Sequence, residues 1–355
     1  MASGVTLKQV AALAGVSVSV ASRSLNGRAM EFRIHADTQQ RVKEAAEHLG
    51  FRANANARAL RLQESGLVGI VVPDLSNPFF GAIVQQVMGA ADASGLQALV
   101  ADSREETENE ISLVKQLATR DVQAIAVCPV GQESAHLTEI HDSGIPLVLI
   151  DRCFPDLPIP QVTSRHYDGA LGAVKLILEK GHRAIGVLQG LPGTLPNEER
   201  ISGYRDALNA SGASFDASRI AGENFTEASG YSATKHLLEK HPDTTALFAC
   251  STPNAIGALR AANELGMDVP GQLSIVAFDD APFADLMSVP LTTVSQNIER
   301  LGQRSARMLS QIVGGSKTRR SKTPQCVRIP TRLIRRRSLS APHHRTAGKV
   351  LAGTR

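Results

Sequence analysis

The chain has 355 residues, 43% apolar and 20% charged, with four cysteines and no tryptophan. That length exceeds one small core and points to two or three globular domains, which excludes disordered and fibrous classes. No apolar run approaches the roughly 18 residues a bilayer span needs, and the first residues lack a basic-then-apolar leader, so a cytoplasmic protein is expected.

The net charge of +4 conceals an asymmetry. Residues 1–65 hold nine Lys/Arg against five Asp/Glu, residues 66–299 hold 14 against 29, and residues 300–355 hold 15 against none. A basic head on an acidic body fits a DNA reader carried by domains that do not themselves bind DNA. Cys128, Cys153, Cys250 and Cys326 are scattered without a CxxC, so they read as reduced, mostly buried thiols. His343 and His344 lie in a basic tail without further ligands. No metal and no cofactor is expected.

The first element is the most telling. In TLKQVAALAGVSVSVASRSLNG, Leu7, Val10, Ala11 and Ala14 form one apolar helical stripe. Gly15 stops that helix, because glycine enters the left-handed region at little cost. Ser17 can cap a second helix through its hydroxyl. On that helix Ser19, Ser22, Arg23 and Asn26 fall on one face. Small polar groups with one arginine suit base edges and phosphates, which is the helix-turn-helix pattern. A loop from Arg28 to His35 follows, then a third helix whose Val42, Ala45, Ala46 and Leu49 close a three-helix core before Gly50. The polar, alanine-rich FRANANARALRLQESG reads as a linker that is helical only when held.

From Leu67 apolar runs alternate with amphipathic helices. The strands are LVGIVVP, LQALVAD, VQAIAVCPV and IPLVLIDR; the helices are Phe79 to Ser94, Glu105 to Arg120 and one ending at Ser143. The alternation restarts after about residue 165. Helices Gly169–Lys180, Glu199–Ala210, Gly230–Glu239 and Asn254–Leu265 separate AIGVLQG, RIAGENF, TALFAC and LSIVAFDD. Two tandem α/β units with parallel sheets follow, with a cleft between them where ligands bind at strand carboxyl ends. Val327 to Ser338 alternates like one strand, and the residues from Leu339 read as a disordered basic tail.

The joint order of TLKQVAALAGVS, SRSLNG, NANARAL, VVPDLSNPFF, KGHRAIGVLQG, ERISGYRDAL, FTEASGY, ELGMDVPGQLSIVAFDD and PLTTVSQN resembles the LacI/GalR family of bacterial transcription regulators. The resemblance runs from about Thr6 to Ser338. It implies an N-terminal all-α helix-turn-helix domain, 1–50, and a hinge helix, 51–65. It further implies an α/β, two-lobed, periplasmic-binding-protein-like effector and dimerisation domain, 66–338, of two Rossmann-like parallel-sheet lobes. Lobe 1 is expected at about 66–163 and 293–325, and lobe 2 at about 164–292 and 326–338, before the tail, 339–355. It implies a homodimer, sometimes a tetramer, on near-palindromic operator DNA, answering to a small molecule, often a sugar.

Carried onto this chain, the family's DNA-contacting positions fall on Thr6, Ser17, Val18, Ser19, Ser22, Arg23 and Asn26 in the head. In the hinge they fall on Asn54, Ala57, Arg58 and Leu60, the leucine that wedges into the minor groove. Its effector positions fall on Phe79, Phe80, Asp151, Arg200, Phe225, Asp279 and Gln296. Carboxylates and guanidinium for hydroxyls, and an aromatic face for C–H groups, suit a sugar. Pro196 and Ser251-Thr252-Pro253 depart from the common pattern, which leaves a sugar acid, a sugar phosphate or a nucleobase corepressor as alternatives, and Arg152 and Arg200 leave room for an anionic group. Two other functions fare worse. No G-x-S-x-G, Walker A, GxGxxG or HExxH supports an enzyme, and adjacent Asp279 and Asp280 on a strand point to opposite faces. A sugar-transport component has no use for a basic helix-turn-helix.

Overall fold

The structure, a computed structural model, describes residues 5–25, 29–51, 65–314 and 326–342. Asn26 and the whole of 52–64, with Asn54, Ala57, Arg58 and Leu60, lie outside the described residues, as do 343–355. The chain divides into two compact units, one ending at Gly66 and one starting at Leu67.

The first unit holds α1 (Leu7–Leu13), α2 (Val18–Leu25) and α3 (Ala36–His48). Thr6 and Gln9 form a reciprocal capping box: the Gln9 amide donates to the Thr6 hydroxyl, and the Thr6 amide donates to Gln9 Oε1 at 2.7 Å. Gly15 turns the chain at φ +65, and the Ser17 hydroxyl accepts from the Val20 amide at 3.3 Å. Val10, Ala11, Ala14, Ala21, Val42, Ala45 and Ala46 form the core. Alanines dominate it, so the helices approach closely and little apolar area is buried.

The second unit is two α/β lobes in series. Lobe 1 contains β1 (Leu67–Val72), α4 (Pro78–Ala93), β2 (Gln97–Asp102), α5 (Thr107–Ala118), β3 (Ala124–Val127), α6 (Ala135–Asp142), β4 (Leu147–Ile150) and β5 (Gln161–Ser164). Lobe 2 contains α7 (His166–Glu179), β6 (Ile185–Leu188), α8 (Leu195–Ala210), β7 (Ile220–Ala221), α9 (Glu227–Lys240), β8 (Ala246–Ala249), α10 (Thr252–Glu264), β9 (Ser274–Phe278) and β10 (Thr292–Ser295). Then come α11 (Ile298–Gly314), β11 (Cys326–Ile329) and β12 (Arg332–Ile334).

The first sheet runs β11-β5-β4-β3-β1-β2, all parallel. The second runs β12-β10-β9-β8-β6-β7, parallel except for β12 against β10. Both are covered on two faces, which is why their central strands are apolar throughout. In lobe 1, Ile70 and Ile150 meet α4 and α11, while Ile125 and Leu149 meet α5 and α6. In lobe 2, Val187 and Phe248 meet α7 and α8, while Leu247 and Ile275 meet α9 and α10. Helices α9 and α10 cross in backbone contact: a Cβ on Gly257 would stand 2.2 Å from the Glu227 carbonyl oxygen.

Three boundaries differ from the sequence expectation. Thr292–Ser295, assigned from 293 onward to lobe 1, is a strand of the lobe 2 sheet, so the chain returns to lobe 1 only after Ser295. Cys326–Ile329, assigned to lobe 2, is the edge strand of the lobe 1 sheet. The single strand expected over Val327 to Ser338 is therefore two strands in two sheets, divided at Pro330, which cannot continue a ladder. The tail also begins later than Leu339. Leu339 packs on the lobe 2 core, and the Ser340 amide donates to Ser274 Oγ at 3.2 Å.

Candidate functional site

Strand ends build the site. Asp151 directly follows β4 and Asp279 directly follows β9, at φ +68 and φ +70. Aspartate tolerates this left-handed conformation better than most residues, and here it lets each carboxylate leave its strand end at the face between the lobes. The cavity there is lined by Asn77, Phe79 and Phe80 from the start of α4, by Asp151 and Arg152, and by Pro196, Arg200, Phe225, Ser251 and Asp279 from lobe 2. It encloses about 280 Å³ including its mouth. Phe225 closes down on Gly190, where a Cβ would stand 2.0 Å from the ring.

Arg200 organises the polar side. Its guanidinium donates to the Cys250 carbonyl and, at 3.1 Å, to His166 Nδ1, and it lies 3.8 Å over the Phe278 ring. A guanidinium only donates, so His166 Nδ1 accepts and Nε2 carries the proton, 3.1 Å from Thr163 Oγ1. Burial first, then the Arg200 and Arg328 charges, hold the His166 imidazole well below its usual range, so it is neutral. Arg200 Nε has no hydrogen-bond partner among the described residues, and neither does Asp151 Oδ1. Buried polar atoms are seldom left so; both are groups a ligand could satisfy.

Burial pushes the Asp151 carboxyl up to about 6, with the Asp279 charge adding to the rise while Arg200, Arg152 and Gln296 oppose it. Burial also raises Asp279, against the pull of Arg200 and of the Gln296 amide, which donates to Asp279 Oδ1 at 2.6 Å. Arg152 is forked onto Glu105 at 2.5 and 2.6 Å and donates to the Val130 carbonyl at 3.0 Å. Its charge is thus paired with Glu105 at the cavity wall, where the guanidinium lies 5.0 Å from the Phe225 ring centre.

The raised Asp151 carboxyl has a consequence for stability. A folded-state pKa above the unfolded value contributes stability that is full below the unfolded value and lost as pH rises through the folded one. Between about pH 4 and 6 the wild type should therefore lose up to ~3 kcal/mol relative to Asp151→Asn. Urea midpoints of both proteins across that window measure it; parallel curves would show that Asp151 titrates normally.

Of the expected effector residues, Phe79, Phe80, Asp151, Arg200, Phe225 and Asp279 come together at the cavity. Gln296 does not line it and instead holds Asp279. Asp280 lies beyond the end of β9, faces away and pairs with Arg336 at 2.7 Å. Two participants carry weak sequence signals. Asn77 both lines the cavity and caps α4, accepting from the Phe79 amide at 3.1 Å, a role its place before Pro78 foretells. His166 is a lone histidine in sequence and nothing local marks it.

In the helix-turn-helix unit Val18, Ser19 and Arg23 are exposed on α2, and the Arg23 guanidinium lies 3.8 Å over the Phe32 ring. Ser17 and Thr6 are the caps of α2 and α1. Ser22, expected on the exposed face with Ser19 and Arg23, is instead buried. It follows Ala21 on the side of α2 that packs toward the core, and a serine is small enough to be enclosed there.

Two segments of the chain match known families: bacterial regulatory proteins of the lacI family over residues 6–54, and the periplasmic binding protein-like domain over residues 174–339. The transcriptional regulator DegA of Bacillus subtilis is 32% identical, over 94% of this chain and 98% of its own length. A transcriptional regulator CelR–cellobiose complex superposes with a TM-score of 0.71 at 30% identity, over 94% of this chain and 99% of that one. The lac repressor dimer bound to operator and the anti-inducer ONPF superposes with a TM-score of 0.82 at 25% identity, over 96% of this chain and all of that one. A helix-turn-helix head joined to two α/β lobes around a polar and aromatic cavity defines a ligand-responsive transcription regulator. The chain belongs to the LacI/GalR family of bacterial transcription regulators.

Proposed function

We propose that this regulator is a homodimeric repressor of a near-palindromic operator, released or recruited by a neutral sugar held between the lobes. The observation that carries the reading is the convergence at one cavity of two buried aspartates, an arginine with an unpartnered Nε and three phenyl rings. Aspartates accept from hydroxyls, Arg200 donates to ring or hydroxyl oxygens, and the rings cover C–H faces. Because Arg152 is paired with Glu105, the guanidinium donor left at the cavity among the described residues, Arg200 Nε, faces two acids, which disfavours a phosphorylated sugar. The cellobiose in the CelR complex supports a sugar as the class of ligand. The operator in the lac repressor complex supports the role of Val18, Ser19 and Arg23 as groove-facing residues. No step of turnover is assigned to the cavity.

Calorimetry against neutral hexoses and pentoses, their phosphates and purine bases tests the effector. Binding is expected for one or more neutral sugars; binding confined to purines or to phosphates would overturn the sugar assignment.

A further inference from the structure

We propose that Cys153 and Cys326 form a dithiol that peroxides convert to a reversible disulfide. Cys153 lies in the loop after β4, next to Asp151 and Arg152, and its Sγ is 3.8 Å from the Val162 carbonyl oxygen. Cys326 opens β11 and is the registered neighbour of Gln161 on β5. Registered neighbours in a sheet present their side chains to the same face. The Gln161 side chain on that face reaches the loop, accepting from the Phe154 amide at 2.7 Å and donating to its carbonyl at 2.6 Å. Cys326 is thereby set against the residue before Phe154, and the two thiols share a hydrogen bond.

The two sulfurs are not alike. Cys326 is half-buried, and the hydrogen bond it receives from Cys153 lowers its thiol to about 7, with Arg328 on the same strand face assisting. Cys153 is buried, and burial together with that bond keeps its proton on. This pairs an accessible thiolate with an adjacent resolving thiol, the arrangement of oxidisable cysteine pairs. Cys128 and Cys250 are fully buried and raised by burial, so they are inert by comparison.

The chemistry balances. The Cys326 thiolate attacks one oxygen of a peroxide, the O–O bond breaks, and the other oxygen leaves and is protonated to water or an alcohol. Cys326 is then a sulfenic acid. The Cys153 sulfur attacks it, the S–O bond breaks, and the hydroxyl leaves as water with the Cys153 proton. Two thiols have given two electrons to the peroxide. The resulting bond ties β11 to the loop of Asp151 and Arg152. It does so beside the Arg328–Glu199 ion pair of 2.6 Å, which joins β11 of lobe 1 to α8 of lobe 2. Glu199 is the neighbour of Arg200, so oxidation acts at the junction of the lobes.

The full-length reduced protein is treated with hydrogen peroxide, quenched, alkylated and digested. Wild type is expected to lose two of its four alkylatable thiols and to yield a Cys153–Cys326 linked peptide that dithiothreitol cleaves. Cys153→Ser should stop at a sulfenic acid on Cys326, captured by dimedone. Cys326→Ser should lose thiols at least about tenfold more slowly than wild type. Circular dichroism confirms that both variants fold. Loss of thiols in wild type without the linked peptide, or equal rates in wild type and Cys326→Ser, would overturn the proposal.

Discussion

Arg200→Met is expected to weaken binding of the cognate sugar by about ten- to a hundredfold. A buried charged group that bonds a ligand hydroxyl contributes about 1.5–3 kcal/mol, and each 1.4 kcal/mol is tenfold. The structure adds reasons for the upper half of that range. Arg200 is the cation that opposes the rise of both Asp151 and Asp279. Without it the two carboxyls hold their protons to higher pH, so acceptors for sugar hydroxyls become donors at the same moment. The loss should therefore grow as pH falls toward 6, whereas wild-type affinity changes less. Asp279→Ala should weaken binding within the same range, because it removes one of the two carboxylates at the cavity that accept from sugar hydroxyls. Arg200→Met also strips His166 Nδ1 and the Cys250 carbonyl of a donor, so thermal unfolding is measured alongside. Operator affinity without effector should stay near wild type, since unit 1 is untouched, and a reporter would be locked in its effector-free state. Wild-type sugar affinity in both variants would place the effector elsewhere.

Most of this architecture is legible in local pattern, and the failures have physical causes. Strands β1, β3, β4, β6, β8 and β9 are apolar runs because both faces are covered, and a turn glycine at the foot of α4 or α10 is visible in any reading. Strand β5 is QVTS, nearly polar, yet fully buried; its Thr163 hydroxyl donates to the Asp151 carbonyl at 2.6 Å instead of facing water. A buried strand held by side-chain hydrogen bonds has no apolar signature. Thr292–Ser295 goes to the sheet of β9, the strand just before it, and Cys326–Ile329 goes to β5, far away in sequence; the residues of each strand do not themselves say which lobe pairs with them. In the site, the family resemblance, and not residue type alone, pointed to the two aspartates, Arg200 and the three phenylalanines that meet at the cavity. What it could not give was division of labour. Gln296 and His166 position other groups, and Arg152 is consumed by Glu105. Such roles depend on distances between elements, not on residue identity.

Arg23→Ala is expected to cost about 1–3 kcal/mol at the specific operator, roughly ten- to a hundredfold in affinity, through loss of a bidentate base contact. Its side chain stands exposed on α2 with Ser19 one turn away and Val18 beside it. The guanidinium plane stacks on Phe32 at 3.8 Å, and Phe32 comes from the segment before α3. Stacking on a ring fixes the orientation of the fork before any partner arrives, which lowers the entropy lost on binding. Two further expectations separate a base contact from a surface stack. Arg23→Lys should recover little, because an ammonium lacks the planar fork. Phe32→Ala should weaken specific binding by less than Arg23→Ala, because the arginine remains but is no longer held. A gel-shift series on operator and on random duplex, at fixed salt, measures all three. A phosphate contact would be lost equally from both duplexes, with a reduced salt dependence. A base contact is lost from the operator alone. Equal loss on the two duplexes would therefore remove Arg23 from the residues that read sequence and leave it as a backbone anchor.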